Sequence, residues 1–350
     1  MASVIEQCQV APPPGGAAEV TLPLTYFDHV WLGFHHTNGY PELRYVTGDS
    51  ISVTFSETDM DFNYLIGDHP RNAKDFYHFV PKLGEPKDAP GVQLAPVLAI
   101  QVTLYPNLGV SIGFTNHHVV GDGATIVGFI RAWALLHKFG GHEQFLSHEL
   151  IPFYDRSVVK DPDGQGMSMW EEMKKQNLDM RDIMTPPEHK VRGTFTIKRD
   201  DIEKLKNLIL NSRRRGSTTL THVTSFTVTS AYVWTCLIKS GDAIGEEMII
   251  DDSVMESFGC AADFRARFNP PLPQSYFGNC IVVCFNLYDV DFGWGRPEKI
   301  EIISIDNSSG ISMSISKYKD SDGDLEVGWS LPKTRMSAFV AIFDHGLSFL

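Results

Sequence analysis

"LAIQVTLYPNLGVSIGFTNHHVVGDGATIVGFIRAWALLHKF" (residues 98–139) is the stretch that decides the fold. Two strand-like runs, 98–105 and 109–116, flank a Pro-Asn turn, and apolar residues then recur at helical spacing from Ala124 to Lys138. The pattern therefore predicts a β-hairpin that leads through a short loop into a helix. In α/β folds, the loops that follow strands are where ligands and chemistry are usually found.

That loop, residues 117–123, contains two histidines, an aspartate and two glycines. Asp122 fits a helix N-cap, with the histidines partly exposed beside it. His118 fits a general base at a strand end, because an imidazole titrates near neutrality. A metal site is disfavoured, since no second cluster of ligating residues occurs at suitable spacing. The loop alone does not choose between cap and base.

Composition limits the class of protein. The chain has 350 residues, 43% of them hydrophobic, and a net charge of −13. This charge argues against nucleic acid and against an anionic membrane surface as partners. No apolar run is long enough to span a bilayer, and the first residues lack the pattern of a secretory signal. Five cysteines without a CxxC pair are typical of reduced thiols, so we expect a cytoplasmic location.

The order of predicted elements indicates two domains. We expect an N-terminal domain over residues 1–155, a crossover linker rich in Pro, Gly and Asp over residues 156–189, and a C-terminal domain over residues 190–350. Residues 21–35 are predicted to be extended, and a short polar helix lies in the linker. Further predicted elements are a strand then a helix (191–210), a buried helix (219–239), strand-like runs (257–268, 276–295, 299–306, 311–318, 325–331) and a last helix (Thr334–Phe343).

Several motifs outside the loop bear on the choice between a helix cap and a general base. "DFGWG" (291–295) and "YFGNC" (276–280) follow HxxxD (His118, Asp122) in the chain, and "LTYFD" (24–28) precedes it. In this order, and together with "IPFYDRSVVKDP" and "SAYVWTCLIK", these motifs resemble the plant BAHD acyltransferases over nearly the whole chain. "YFGNC" is typical of the anthocyanin and flavonoid branch, and the similarity is greatest to malonyltransferases that act on phenolic glucosides.

The resemblance implies an α/β fold of two domains like that of chloramphenicol acetyltransferase, with mixed sheets flanked by helices and a channel between the domains. It implies an acyl-CoA-dependent O-acyltransferase that moves malonyl from malonyl-CoA to a sugar hydroxyl of a phenolic or flavonoid glucoside. Malonyl-CoA is then a co-substrate, no cofactor is permanently bound, no metal takes part, and the chain is a monomer. The alternatives are another acyl-CoA donor, or a shortened, catalytically impaired binding protein.

The same resemblance suggests roles for individual residues. His118 is the expected catalytic base, and Asp122 an anchor paired with Arg265 rather than a catalytic partner. Structural support is also expected from Gly123, Asp291, Gly293 and Trp294. Candidate contacts to malonyl-CoA are Arg156, Arg267, Ser217, Thr218 and Asn279, with Arg131 and Arg265 as further candidates for the donor carboxylate. For any one of these arginines, a structural ion pair is favoured over a ligand contact. His117 is expected to be a packed neighbour and Cys280 a buried thiol.

Compared with the family, the chain passes abruptly over two junctions, after Phe34 and after Phe285. Family members carry additional segments at both places. We therefore expect this chain to expose apolar surface that such segments would cover.

Overall fold

The computed structural model describes residues 2–29, 31, 41–90, 92–175, 185–211, 222–245, 258–280, 287–307, 311–319 and 321–350. The junctions after Phe34 and after Phe285 lie outside these ranges, as do Ser217 and Thr218. Contacts divide the chain into two units, which are described separately. Unit 1 comprises Met1–Ile66, Phe76–Thr185 and Cys260–Ile300, and unit 2 comprises Gly67–Asp75, Pro186–Gly259 and Glu301–Leu350.

Strands and helices are interspersed along the described chain. The strands are β1 (Ser3–Val10), β2 (Val20–Pro23), β3 (Glu42–Tyr45), β4 (Ile51–Glu57), β5 (Arg71–Asn72), β6 (Lys87–Ala89), β7 (Val92–Leu94), β8 (Leu98–Tyr105), β9 (Gly109–Asn116), β10 (Lys190–Ile197), β11 (Met313–Lys317) and β12 (Leu325–Pro332). The helices are α1 (Tyr26–His29), α2 (Phe62–Ile66), α3 (Gly123–Lys138), α4 (Gln165–Lys175), α5 (Arg199–Asn211), α6 (Ser225–Ala243) and α7 (Lys333–Ser348).

A four-stranded mixed sheet in the order β1-β4-β8-β9 is the framework of unit 1. β4 and β8 run parallel, whereas β1 with β4 and β8 with β9 run antiparallel. The predicted hairpin is formed by β8 and β9, and Asn107 in its turn has a positive φ of 62°, which asparagine tolerates better than most residues. The described part of this unit also has two smaller antiparallel pairs, β2 with β3 and β6 with β7.

Helix α3 follows β9 after one 3₁₀ turn (His118–Val120). Its buried residues Ile130 and Ala134 pack with Val290, and Phe114 of β9 joins the same cluster. The predicted helix, Ala124 to Lys138, is confirmed, and it starts one residue earlier at Gly123. The helix therefore has one apolar face towards the end of the sheet, and its N-terminus stays at the loop that carries His118.

An antiparallel sheet in the order β11-β12-β10-β5 is the framework of unit 2. Helices α6 and α7 pack on it through a core that includes Val233, Trp329 and Phe339. The strand then helix at 191–210, the buried helix at 219–239 and the last helix are confirmed as β10, α5, α6 and α7, with α7 longer than expected. The expectation of mixed sheets holds for unit 1, whereas this second sheet is antiparallel throughout its described strands.

Some predicted elements are wrong. The expected strands at 257–268 and 299–306 contain 3₁₀ turns, Arg265–Arg267 and Ile303–Asn307, and the described part of 276–295 has only an isolated bridge at Tyr276. The apolar stretch at 21–35 is interrupted by α1. These runs carry apolar residues on irregular backbone, and some of them, such as Phe258 and Phe264, are not fully buried. A short apolar run does not by itself distinguish that arrangement from a strand.

The contact-based division also differs from the predicted domain boundaries. Cys260–Ile300, with both YFGNC and DFGWG, is part of unit 1 rather than of the C-terminal portion. The reason is that these motifs form their hydrogen bonds with residues of the N-terminal portion, such as Cys280 N–H to Asp122. Most of the predicted linker, up to Thr185, is likewise in unit 1. Within the described chain, no helix combines the length and apolarity needed to cross a membrane.

Candidate active site

The loop between β9 and α3 places His118 and Asp122 on opposite ends of a tight turn. His118 begins the 3₁₀ turn, and Asp122 is the N-cap of α3, where its carboxylate accepts from the backbone N–H groups of Ala124 (3.1 Å) and Thr125 (3.2 Å). Gly121 is required by close packing, because a Cβ there would lie 2.6 Å from Cβ of Thr125. The cap interpretation of Asp122 is therefore confirmed.

Asp122 also forms the predicted ion pair with Arg265. Nη1 and Nη2 of Arg265 donate to its two carboxylate oxygens at 2.9 and 3.0 Å, and both residues are buried. Cys280 N–H donates to the same carboxylate at 2.8 Å. Every lone pair that Asp122 directs into the protein has a structural donor, and no hydrogen bond of Asp122 goes to His118. Asp122 thus has the contacts expected of a structural anchor, and a Ser-protease-like triad geometry is not present.

The YFGNC segment is held against the start of α3. Thr125 Oγ1 donates to the carbonyl of Gly278 at 3.0 Å, and Arg265 Nη2 donates to the carbonyl of Tyr276 at 3.2 Å. Gly278 has a positive φ of 154°, and a Cβ there would lie 2.9 Å from the Tyr276 ring. The glycine of this motif is therefore needed for both its backbone conformation and its close approach. The next residue, Asn279, is thereby directed at His118.

Asn279 is the hydrogen-bond partner of the His118 ring. Its Oδ1 lies 3.2 Å from His118 Nδ1, and its Nδ2 donates to Asp28 Oδ1 at 2.8 Å and to the His118 carbonyl at 3.0 Å. Only the NH₂ end of an amide can donate to two acceptors, so the oxygen faces the ring. His118 Nδ1 must then carry the hydrogen. This leaves Nε2 as the ring nitrogen with a free lone pair in the neutral form.

A buried ion pair lies behind Asn279. Asp28 accepts from Asn279 and from Thr25, and its Oδ2 lies 3.1 Å from Nη1 of Arg156. Both charged side chains have zero exposure. Arg156 further donates to the carbonyls of Pro23, Val120 and Phe277. One guanidinium thus connects the "LTYFD" segment, the His118 turn and the YFGNC segment.

The electrostatic surroundings of the two histidines differ. Burial lowers the pKa of His118 below its ordinary value, while bonds to a backbone carbonyl and to Asn279, and the charges of Asp122 and Asp28, act in the opposite direction. Burial and the neighbouring His118 lower the pKa of His117 to about 4. His117 Nδ1 accepts from Val119 N–H at 3.2 Å, which makes it a turn cap. His118 is therefore neutral, and able to accept a proton, at neutral pH.

An aromatic ring covers one face of His118. Trp31 stacks on the imidazole with 3.6 Å between ring centroids and 11° between the planes. A π face so close to an imidazole favours its protonated form when a proton is accepted. Trp31 Nε1 is buried without a partner in the described chain. Sequence analysis had given this residue no role.

The DFGWG turn lies at the other end of α3. Asp291 pairs with Lys138 at 2.6 Å and accepts from Gly293 N–H and Gly295 N–H, interactions that lower its pKa to about 2. The largest of these effects is the bond from Lys138. Trp294 is 64% exposed. Since an α-helix rises about 1.5 Å per residue, the length of α3 separates this turn from Asp122 by about 24 Å.

The residues expected to bind the donor are distributed differently from the prediction. Arg156 and Arg265 are buried, and their guanidinium groups are committed to protein acceptors, so a ligand carboxylate is not their partner. Asn279 is fully buried and oriented by His118 and Asp28 rather than exposed for a CoA contact. Arg267 is exposed, with its guanidinium 5.1 Å above the Phe264 ring, and Arg131 is half-buried on α3. Ser217 and Thr218 lie outside the described residues.

Cys280 is a buried thiol, as expected. It has zero exposure, and burial raises its pKa to about 12. A thiol with so high a pKa is not a nucleophile at neutral pH. In the described portion of the chain, no group of His, Cys, Asp and Glu side chains is arranged to hold a metal ion.

Three residues of this site escaped the sequence analysis: Asp28, Thr125 and Trp31. Asp28 belongs to the LTYFD motif, but this motif did not indicate a chemical role for its carboxylate. A signal was present, since an aspartate within an apolar run such as "LTYFDHVW" is expected to be buried with a partner. The partner itself could not be read from the sequence, because Asp28 and Asn279 are 251 positions apart.

Comparison with known proteins identifies relatives along the whole chain. A phenolic glucoside malonyltransferase 1 of Nicotiana tabacum is 56% identical over 460 aligned positions that cover 100% of both chains. A malonyl-coenzyme:anthocyanin 5-O-glucoside-6'''-O-malonyltransferase of Salvia splendens is 31% identical, over 97% of this chain and 94% of its own. The 460 positions exceed the 350 residues of the chain, so the tobacco protein has internal segments without a counterpart here.

A solved structure, that of vinorine synthase, superposes with a TM-score of 0.65 at 14% identity and covers 97% of this chain and 96% of its own. This similarity confirms the expected fold class. The family model named Transferase matches residues 54–286 and 282–345, two stretches that meet where a segment was expected to be missing. On the extent of these matches, the chain belongs to the Transferase family, the BAHD acyltransferases that its HxxxD, YFGNC and DFGWG motifs resemble.

Proposed function

We propose that the protein is an acyltransferase that moves malonyl from malonyl-CoA to a sugar hydroxyl of a phenolic or flavonoid glucoside. The observation that carries the proposal is the neutral, oriented His118, whose Nδ1 is engaged by Asn279 and whose Nε2 is available as a base. The family and the names of the tobacco and Salvia relatives support the donor and the class of acceptor.

His118 Nε2 removes the proton from the acceptor hydroxyl. The oxygen attacks the thioester carbonyl and forms a tetrahedral intermediate, whose collapse breaks the C–S bond. The departing CoA thiolate takes the proton from the imidazolium, so that the products are the malonyl ester and free CoA. No acyl-enzyme is needed, because the thioester is already activated. The buried Cys280 supplies no alternative nucleophile.

The free carboxylate of malonyl requires a cation. Of the four arginines considered, Arg156 and Arg265 already hold protein carboxylates, Arg131 is half-buried, and Arg267 is exposed. We therefore assign the donor carboxylate to Arg267. Replacement by alanine is expected to raise KM for malonyl-CoA about tenfold, the value of about one charge-assisted hydrogen bond, and to leave KM for acetyl-CoA unchanged. Equal effects on both donors would remove Arg267 from this role.

One assay tests the function. Purified protein is incubated with malonyl-CoA and a phenolic glucoside, and free CoA thiol and the ester product are measured. His118→Ala is expected to lower kcat by about 100- to 10,000-fold, the range for loss of a general base. His117→Asn is the matched control, because it keeps an acceptor for Val119 N–H, and should retain most of the activity. Thiol release that survives His118→Ala would overturn the mechanism.

The same proposal includes a monomeric chain in the cytoplasm. Its basis is the reduced state expected of its cysteines and the position of the described catalytic residues within a single unit. Size-exclusion chromatography with light scattering measures the mass in solution. A mass of twice the chain, stable on dilution, would contradict the monomer.

A further inference from the structure

Asn279 can serve His118 only while its amide keeps one orientation. Rotated by half a turn, the amide would present its NH₂ end to Nδ1, and the ring would have to move its hydrogen to Nε2. The base of the proposed mechanism would then be lost without any change in the residues that touch substrate. Something must therefore hold the amide in its functional orientation.

The carboxylate of Asp28 provides this restraint. Asp28 Oδ1 accepts from Asn279 Nδ2 at 2.8 Å and from Asn279 N–H at 3.2 Å, so it binds both ends of the residue. A carboxylate without a proton is an acceptor only and rejects the rotated amide. The carbonyl of His118 accepts from Asn279 Nδ2 at 3.0 Å and therefore selects the same orientation of the amide.

The second oxygen of the fully buried Asp28 is also held by donors. Arg156 Nη1 at 3.1 Å, together with Thr25 N–H at 2.7 Å and Thr25 Oγ1 at 2.9 Å, binds its second oxygen. The buried carboxylate thus has one guanidinium and four further donors, all of which favour a carboxylate as their acceptor. The chain of contacts runs from Arg156 through Asp28 and Asn279 to His118, and all four residues belong to unit 1.

We infer that Asp28, held by Arg156, is a positioning residue of this reaction: it fixes the Asn279 amide and thereby the Nδ1–H tautomer of His118. The inference rests on the proposed function for its catalytic consequence, but not for the tautomer itself. In a catalytic triad a carboxylate orients the histidine directly. Here the Arg156–Asp28 pair orients His118 through the amide of Asn279. Asp122, the acid of the HxxxD motif, plays no part in this orientation because its oxygens are bound to Arg265 and backbone.

The charge of Asp28 also reaches the ring. Groups that face His118 are His117 beside it, Asn279 and the stacked Trp31, with the charges of Asp122 and Asp28 behind them. Both carboxylates favour the imidazolium. Neutralising Asp28 should therefore move the titration of His118 to lower pH, so that the acid limb of the rate profile moves in the same direction. A residue that is only structural would lower the amount of folded enzyme without moving that limb.

The experiment compares wild type with Asp28→Asn and Asn279→Ala in the full chain. Long-range proton–nitrogen spectra of isotope-labelled histidine report the tautomer and the pKa of His118, with His118→Gln used for assignment. We expect the Nδ1–H tautomer in the wild type and a lower pKa or a mixed tautomer in both variants. In the acyltransfer assay, kcat should fall about tenfold or more while KM for malonyl-CoA stays within about twofold.

Asp306→Asn is the matched control. Asp306 is also a fully buried carboxylate, 2.5 Å from an arginine, Arg192, but it belongs to unit 2. This variant should lower Tm as the Asp28 variant does, and leave the His118 titration unchanged. An Nε2–H tautomer in the wild type, or an unshifted His118 in Asp28→Asn, overturns the inference. Absence of malonyl transfer by the wild type overturns the proposed function alone, because the spectra decide the tautomer without activity.

Discussion

Arg265 shows at the scale of one residue how hydrogen bonds to a counter-charge hold a buried cation. Its two terminal nitrogens donate to both oxygens of Asp122, and Nη2 also donates to the carbonyls of Tyr276 and Gly278. The same carboxylate caps α3. Asp122 therefore supports the site by fixing the loop, the helix start and the YFGNC segment relative to one another.

Removing the arginine should destabilise the protein severely. Arg265→Ala leaves Asp122 buried without its counter-charge, and we expect the free energy of unfolding to fall by about 3–5 kcal/mol, as for other buried pairs. Urea unfolding followed by circular dichroism measures the change. Arg267→Ala, two residues away and exposed, is the matched control and should stay within about 0.5 kcal/mol of the wild type. Equal small losses in both variants would contradict the role of the ion pair.

His117 gives stability a pH dependence. Its pKa of about 4 in the folded state lies below the ordinary value of 6.5. Between these pH values the unfolded chain binds the proton more readily than the folded chain. The contribution of neutral His117 to the free energy of unfolding is therefore complete above pH 6.5 and is lost as pH falls towards 4. For His117 alone this is about 3 kcal/mol. The free energy of unfolding of His117→Asn, measured at both pH values, should lack this part of the slope. A slope equal to that of the wild type would exclude a contribution of His117 to the pH dependence of stability.

Helix α3 organises the site at the scale of elements. Its N-terminus holds Asp122 near His118, and its C-terminal Lys138 pairs with Asp291 of the DFGWG turn. The HxxxD and DFGWG motifs thus lie at the two ends of one helix in this chain. The DFGWG turn packs against α3 through Phe292, whose ring centroid lies 5.0 Å from that of Trp133.

A substitution in that turn should affect stability more than chemistry. Gly293 has a φ of 100°, and an added Cβ would meet nothing closer than 3.7 Å, so the penalty in Gly293→Ala is backbone strain alone. We expect a loss of about 1 kcal/mol in the free energy of unfolding and an unchanged kcat. Urea unfolding and the thiol-release assay measure the two quantities. A large loss of kcat at full stability would place the turn in the chemistry.

The hairpin, α3, α5, α6 and α7 were predictable because each has a sustained period in its apolar residues. The irregular segments at 258–264 and 299–302 were not, because their backbone groups bond to residues distant in the chain, as Phe264 N–H does to the Cys280 carbonyl, and no local pattern predicts such a bond. Within the site, His118 and the Asp122–Arg265 pair followed from motifs. Asp28, Arg156 and Asn279 act only through contacts between segments that the fold brings together.

At the scale of the whole molecule, the length of the chain is the feature that distinguishes it from its relatives. The tobacco protein aligns over 460 positions, and the family model matches in two stretches that meet near Phe285. The sequence predicted that missing segments would expose apolar surface. In unit 1, one face of the β1-β4-β8-β9 sheet has exposed apolar side chains, since Phe55, Leu104 and Val110 are 40%, 42% and 41% exposed.

These three side chains form one patch. Leu104 pairs with Val110 across β8 and β9, and Phe55 pairs with Val102, which is two residues from Leu104 and so on the same face. A contiguous exposed apolar face is a site of association or aggregation rather than an ordinary surface. We therefore expect the protein to bind the hydrophobic dye ANS in its folded state.

The double variant Leu104→Thr with Val110→Thr tests this expectation. Threonine keeps β-propensity and removes apolar area, so dye fluorescence should fall while the free energy of unfolding stays within about 1 kcal/mol. Leu208→Thr on α5 is the matched control, because Leu208 is 59% exposed but belongs to unit 2. It should leave dye binding unchanged. If the double variant binds as much dye as the wild type, the sheet face is covered in solution. The effect of the missing segments must then be sought elsewhere in the chain.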